Sequence, residues 1–315
     1  MIIDMTPIIG IPGKLVKDKK KNILILGSTG MLGSEVLRIF SEKENFNIKS
    51  NIRYFKEKKK FKIKNLDEIS FFKFDILRNN ISTLKKHVSK NTIIINCIGV
   101  IKPYINENDS QSISKAIKIN SLFPQQLFNL FNGRNKIYQI ATDCVFDGKK
   151  GKYNEQDPHN ALDVYGKSKS LGEVKGKNFY NIRASIIGRE IKSNKSLFEW
   201  FINNKKNAKL NGFQNHLWNG LTTAAFAYAL ISIIENNIKL PKIIHIIPSN
   251  ILNKYQMLML FNKKVISKKF NIKPSISNNK VDRTLSSNYS KIVKLIWDKS
   301  YYGKMPKLER LIEDM

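Results

Sequence analysis

The chain has 315 residues, 42% of them hydrophobic, and a formal net charge of +30 from 55 lysines and arginines against 25 acidic residues. That length accommodates one large α/β domain, or a nucleotide-binding domain with a smaller partner. Two cysteines exclude a disulfide framework, four histidines without ligand spacing exclude a zinc site, and no apolar run reaches the roughly 18 to 20 residues of a membrane span.

Residues 1 to 20 read as a mobile leader. Asp4, two prolines and the lack of a basic flank before the apolar residues do not match a secretory signal, so a cytoplasmic location is expected. Asn22–Leu26 is a short apolar run typical of a buried parallel strand, and a glycine-punctuated turn follows. Met31 to Lys43 has helical spacing, with Leu32, Val36, Leu37 and Phe40 on one side. A second strand fits Phe46 to Tyr54, then a charged loop from Lys56 to Lys64, then a third strand, Phe71 to Phe74, closing at Asp75. Thr92 to Ile98, Lys136 to Ala141 and Asn178 to Ala184 supply three more strands, with helices between most of them. This alternation predicts an α/β fold of Rossmann type, a doubly wound parallel sheet. Beyond residue 190 the pattern loosens, with helices over Leu197–Asn204 and Thr222–Asn236 and a strand over Lys242–Ile247. The expected division is a nucleotide-binding domain over 21–190 and a smaller, mainly substrate-binding C-terminal lobe over 191–315, from which about 222–247 returns to the first domain.

The net charge has two readings, an anionic partner or a composition rich in Lys, Asn, Ile and Phe, all encoded by A- and T-rich codons. The lysines are dispersed and no RNA-binding signature accompanies them, so composition is favoured and no nucleic acid partner is expected.

Gly27-Ser28-Thr29-Gly30-Met31-Leu32-Gly33 is a Gly-x-x-Gly-x-x-Gly loop between the first strand and the first helix. Gly27 allows the sharp turn, Gly30 the approach of a pyrophosphate and Gly33 close packing of helix on strand, while the helix start offers N–H groups to phosphate. The acidic residue that would hold an adenosine ribose 2′-hydroxyl is missing after the second strand, where Arg53 stands instead. A cation there suits a 2′-phosphate, which favours NADPH over NADH. Tyr165 and Lys169 lie four residues apart at a predicted helix start, so both side chains share one face. A phenol titrating near ~10 becomes a useful proton donor when a cation stabilises its phenolate.

With the glycine loop, Ala141-Thr142-Asp143 after the fifth strand and Tyr165-x-x-x-Lys169 beyond it, the chain resembles the extended short-chain dehydrogenase/reductases over roughly residues 22 to 300. Within them, Thr142 to Gly148, Tyr165 to Lys169 and Gly172-Glu173 most resemble the dTDP-4-dehydrorhamnose reductase group of sugar-nucleotide reductases. The resemblance implies that Thr142 bonds the ketone oxygen, Tyr165 protonates it, and Lys169 lowers the tyrosine pKa and holds the nicotinamide ribose. It places Asp75 and Ile76 by the adenine and Asn96, Ile98 and Gly99 along the cofactor channel, with Asn120 either steadying the lysine region or lying on a helix surface. Lys102, Asp143, Val145, Arg183, Arg189, Trp218 and Arg283 are the candidates for the nucleotide-linked sugar, Trp218 being more readily read as core. Related sugar 4,6-dehydratases have a glutamate where this chain has Cys144, which argues for ketone reduction.

The implied activity is NAD(P)H-dependent reduction of the 4-keto group of a nucleotide-linked 6-deoxy sugar, for surface polysaccharide or deoxysugar synthesis. An epimerase that retains NAD and a non-catalytic, reductase-like regulatory subunit are the alternatives. A homodimer is also implied; the apolar residues around Leu127 to Phe131 would serve it, or a buried core face.

Overall fold

The computed structural model describes residues 20–191, 195–205, 207–264 and 270–315, so the expected leader lies outside the described residues except for Lys20. In chain order the first half runs β1 (Lys21–Leu26), α1 (Met31–Ser41), β2 (Phe46–Ile52), β3 (Ser70–Lys73), β4 (Ile93–Asn96), α2 (Ser110–Ile117), α3 (Phe123–Phe131) and β5 (Ile137–Ala141). It continues with α4 (Val164–Leu171), β6 (Phe179–Arg183), β7 (Ile186–Ile187), α5 (Leu197–Ile202), β8 (Lys209–Phe213), β9 (His216–Trp218), β10 (Leu221–Thr222) and α6 (Thr223–Glu235). The last elements are β11 (Ile243–His245), β12 (Leu252–Asn253), α7 (Lys254–Lys264), β13 (Asn271–Ser275), β14 (Val281–Asp282), α8 (Ser290–Asp298) and α9 (Leu308–Glu313).

Seven strands form one sheet in the order β11-β6-β5-β4-β1-β2-β3, every pair parallel. This is the doubly wound Rossmann arrangement with one added edge strand, and its direction of winding reverses between β1 and β4. The crevice beyond the carboxyl ends of those strands is where such sheets bind ligands. Runs such as Ile23 to Leu26 can form central strands because both faces are covered: Ile23 and Ile25 face one apolar layer, Leu24 and Leu26 the other.

The second strand stops at Ile52, two residues before the expected end. The Glu57 carboxylate accepts the N–H groups of Arg53 (2.9 Å) and Tyr54 (3.3 Å), turning the chain into a short 3-10 helix over Phe55–Lys60 where a plain loop was expected.

The C-terminal third builds small sheets, β12-β9-β14 and β13-β8, but it is not walled off from the rest. Strand β11 extends the main sheet, α6 packs on α1, and a single apolar cluster includes Ile25, Phe40, Phe201, Phe261, Trp297 and Leu311. The division expected at 190 therefore separates no two cores. Leu127 and Phe131 are buried against β4 and β5 residues in the other cluster, which takes that helix face away from any second subunit. Among the described residues, no helix is long and apolar enough to cross a membrane.

Candidate active site

The glycine loop is the tightest join between sheet and helix. Gly27 adopts φ +88°, in the left-handed region, and a Cβ there would meet the Ile98 side chain and backbone. A Cβ at Gly33 would collide with the Gly27 carbonyl, so the first helix can sit this close to β1 only without one. Gly30 is the α1 N-cap and caps it with no side chain, which leaves the first-turn N–H groups for an anion. Thr29, Gly30 and Met31 are partly or fully exposed. Ser28 and Leu32 are not: Leu32 is core, and the Ser28 hydroxyl donates to the Asn51 carbonyl (3.0 Å), so only their backbone groups are left for a phosphate.

Asn51 is a functional residue that sequence reasoning missed. Its Oδ1 accepts the Gly27 N–H (2.8 Å) and its Nδ2 donates to the Phe74 carbonyl (3.0 Å), fixing the loop against β2 and β3 at once. The available signal was an amide at the end of a strand, two residues before Arg53. Arg53 itself is exposed just past β2. At the end of β3, Asp75 accepts the Leu77 N–H through Oδ1 (3.0 Å), and Ile76 borders a cavity of about 270 Å³ with Phe74, Asn79, Phe123 and Gln126.

Two further turns meet at the same edge of the sheet. After β4, the Asn96 side chain is fully buried, donating to Gln139 Oε1 (2.7 Å) and accepting from the Ile98 N–H (3.2 Å). It shapes the turn from behind and does not line the channel as expected; Ile98 and Gly99 are the accessible pair. After β5, Thr142 caps a 3-10 turn, its Oγ1 accepting the Cys144 N–H (3.2 Å).

Helix α4 crosses this edge. Asp163 caps it by accepting the Gly166 N–H (2.7 Å) and pairs with Lys102 across the cleft (2.8 Å), a link unseen in the sequence. Tyr165 lies half-buried in the first turn; burial and then the neighbouring Cys144 push the phenol up, while the Thr142 hydroxyl pulls it down. Lys169 is buried one turn on, its ammonium donating to the Ile140 carbonyl at the end of β5 (2.6 Å). Burial lowers this lysine to about 8, against the opposing pull of Glu173 and Cys97. A Cβ on Gly99 would lie 3.9 Å from the Lys169 Nζ and 3.4 Å from the Asn120 Oδ1.

Asn120 is no surface residue. It is buried in a π-helical turn, Lys118–Leu122, between α2 and α3, and its Nδ2 donates to the Ser168 hydroxyl (3.1 Å) as well as to the Val100 carbonyl (2.9 Å). Such wide turns recur at functional sites because they redirect one side chain without ending the helix.

The expected substrate residues scatter. Asp143 is buried beside Thr142, and Arg283 stands close enough to pull down the Asp143 carboxyl while it donates to the Phe146 carbonyl (2.9 Å). Lys102 is exposed at the α4 cap, and Arg189 is exposed and paired with Glu199 (2.7 Å). Trp218 is half-buried, its indole N–H donating to the Ser185 hydroxyl (2.8 Å). Two candidates are excluded. Val145 is wholly buried in a small cluster with Phe146, Tyr153 and Leu285. Arg183 is buried too, clamped in a two-pronged pair with Glu173 (2.7 and 2.6 Å) and donating to His245 (3.1 Å) and His159 (2.6 Å). Four of its five N–H donors are thus committed to partners inside the core, and the side chain is 1% exposed, out of reach of a phosphate in the crevice.

Cys97 and Cys144 are free and half-buried, and burial pushes both thiols up to about 12, which keeps them protonated and unreactive. Among the described residues no cluster of His, Cys, Asp or Glu could hold a metal ion.

A glycine loop after β1, a Thr turn after β5 and a Tyr-x-x-x-Lys helix beyond it, on a seven-stranded parallel sheet wound in both directions, define a Rossmann-type α/β protein. More narrowly, the chain belongs to the family described as the RmlD substrate binding domain, whose model matches residues 21–315. It is 32% identical over 154 residues to a methionine adenosyltransferase 2 subunit beta from Danio rerio, covering 49% of this chain and 42% of that protein. It is 28% identical over 154 residues to a dTDP-4-dehydrorhamnose reductase from Aggregatibacter actinomycetemcomitans, covering 48% and 45%. The matches thus span less than half the length of these curated relatives. The solved dTDP-4-dehydrorhamnose reductase from Bacillus anthracis, in complex with NADP, superposes with a TM-score of 0.67 at 16% identity, over 94% of this chain and 98% of that one.

Proposed function

We propose that the protein reduces the 4-keto group of a nucleotide-linked 6-deoxy sugar with NAD(P)H, NADPH being preferred. What supports this reading is the placement of Thr142 after β5 and of Tyr165 and Lys169 on α4, beyond the same sheet edge as the glycine loop, in a chain of this family that is similar to a dTDP-4-dehydrorhamnose reductase. The loop and α1 N-terminus would take the pyrophosphate, Arg53 a 2′-phosphate, and Asp75 and Ile76 the adenine. Bound there, the reduced nicotinamide supplies a hydride to the carbonyl carbon. Negative charge then grows on the carbonyl oxygen, where Tyr165 delivers its proton and Thr142 adds a hydrogen bond. Burial alone makes the phenol a weaker acid, so the protonated Lys169 is the group that would bring it back toward working pH once it swings from Ile140 to the ribose. Lys102, Arg189, Trp218 and Arg283 remain for the nucleotide-linked sugar, and its product would feed surface polysaccharide or deoxysugar synthesis.

The test is to mix the protein and NADPH with a panel of 4-keto sugar nucleotides and follow loss of absorbance. Turnover abolished in Tyr165→Phe supports the reading; no turnover, or a fully active variant, rejects it. A second reading is favoured by the similarity to methionine adenosyltransferase 2 subunit beta: a reductase-like subunit that binds dinucleotide without consuming it. Tight NADPH binding with no turnover of any panel member would select that reading.

A further inference from the structure

Thr142 has one hydroxyl hydrogen and more than one taker. Its oxygen accepts the Cys144 N–H, its hydrogen points at Asp143 Oδ1 across 3.2 Å, and the same hydroxyl is near enough to pull the Tyr165 phenol down. A hydroxyl that gives its single hydrogen to a carboxylate has none left for a carbonyl oxygen. We propose that Asp143 is a positioning residue that governs this hydrogen: as a carboxylate it captures the Thr142 hydroxyl, and as a neutral acid it releases the hydroxyl to the carbonyl oxygen of the substrate. This inference rests on the reductase reading above and deepens it.

The surroundings act on this carboxyl in opposing directions. Burial pushes Asp143 up; the Arg283 guanidinium, arriving just after β14, opposes this, as do the nearby hydroxyls of Thr142 and of Ser185 after β6. The Cys144 thiol sits 3.8 Å from Oδ1 on the same turn, and from α4 the Tyr165 phenol and Asp163 complete the charged and titratable groups facing this corner. Proton and electron counts are unaffected. The carbonyl carbon gains the hydride, the nicotinamide is oxidised, Tyr165 supplies the proton to oxygen, and the Thr142 hydrogen stays on its own oxygen throughout. Asp143 therefore sets how strongly the carbonyl is polarised, and alkaline ionisation switches that assistance off.

Infrared difference spectra between wild type and Asp143→Asn, recorded from weakly acidic to weakly alkaline pH, test the switch without any substrate. The expected result is a carboxylic acid carbonyl band in the wild type that fades as pH rises and is absent from the variant; no band at any pH overturns the proposal. The second arm measures kcat against pH with a substrate the wild type reduces. Wild-type kcat should decline over the range in which the band fades, Asp143→Asn should lose that decline and exceed the wild type several-fold at its alkaline end, and Ser185→Ala should move band and decline together to higher pH. An Asp143→Asn profile that keeps the wild-type decline overturns the proposal. So does a folded variant with normal NADPH affinity and no activity at any pH, which would make the carboxyl an acid–base group in its own right. If the wild type reduces nothing, the reductase reading fails while the infrared arm still decides the state of Asp143.

Discussion

Asn120 holds both polar groups of Val100, its Oδ1 accepting the N–H and its Nδ2 donating to the carbonyl, each at 2.9 Å. The same amide reaches Ser168 in α4, so the turn after β4 and the helix bearing Tyr165 and Lys169 are fixed to one side chain. Replacing Asn120 with Leu leaves the Val100 peptide and Ser168 without these partners. At about 1 to 3 kcal/mol for each buried group left unpaired, the variant should lose several kcal/mol of stability and most of its turnover. Urea unfolding beside steady-state kinetics would show it; a variant of unchanged midpoint refutes this role.

Asn51 should act on cofactor binding more than on chemistry. Asn51→Ala frees the Gly27 N–H and the Phe74 carbonyl, loosening the loop that faces the pyrophosphate. One or two lost hydrogen bonds at roughly 1 kcal/mol each correspond to about a five- to thirtyfold weaker Kd for NADPH, read by fluorescence titration. The saturated kcat should stay within about twofold of the wild type by the same reasoning, since uniform binding is what is removed.

Arg53→Ala is expected to change the choice between cofactors. Loss of a charge-assisted contact worth about 1.5 to 3 kcal/mol lowers kcat/KM for NADPH by roughly ten- to a hundredfold and leaves NADH nearly untouched. Equal losses with both cofactors would place Arg53 away from the 2′ position.

The Arg183 cluster predicts an acid-side loss of stability. Arg183 donates to His245 Nε2, so the ring must be neutral, with its Nδ1–H given to the Ser286 carbonyl (2.7 Å). Burial holds His245 down at about 4 against an ordinary 6.5. The unfolded chain therefore binds this proton first, and stability falls as pH drops from about 6.5 to about 4. The loss through this one group is of order 3 kcal/mol. Thermal melts over that range should decline for the wild type and flatten for His245→Gln, which keeps an acceptor for Arg183.

Lys169 has the opposite window. Its folded value of about 8 lies below the ordinary 10.5, so the unfolded chain holds the proton longer and stability through this group rises between those values. Lys169→Met should remove that rise and melt higher than the wild type at neutral pH, while abolishing turnover. A lower melting temperature for the variant would show that the bond to Ile140 outweighs the cost of burial.

The parallel sheet was legible because both periodicity and punctuation are local. Ile23–Leu26, Ile93–Ile95 and Ile137–Ala141 are apolar runs bounded by glycine, asparagine or helix signals, and their ends moved by only a residue or two. The glycine loop and Tyr165–Lys169 were legible for the same reason, being contiguous. Arg183 and Asn96 were misjudged because the partners that bury them lie far along the chain: His245 is 62 residues from Arg183, and Gln139 is 43 from Asn96. Glu57 was missed because a charged side chain folded back onto its own strand end looks, in sequence, like any surface residue, and Asn51 because its partners Gly27 and Phe74 lie 24 and 23 residues away.

The Thr142 turn is finished by residues that come late. Arg283 donates to the Phe146 carbonyl from 137 positions away, the Tyr153 N–H meets the Thr284 carbonyl, and Ser286 returns its N–H to Tyr153. During synthesis the glycine loop can close once β1 to β3 exist, whereas the Thr142 turn has no outer wall until the segment after β14 leaves the ribosome. A nascent chain halted before Arg283 would present a nearly complete dinucleotide crevice beside an unfinished reaction corner, so cofactor binding should precede competence for chemistry as the chain grows.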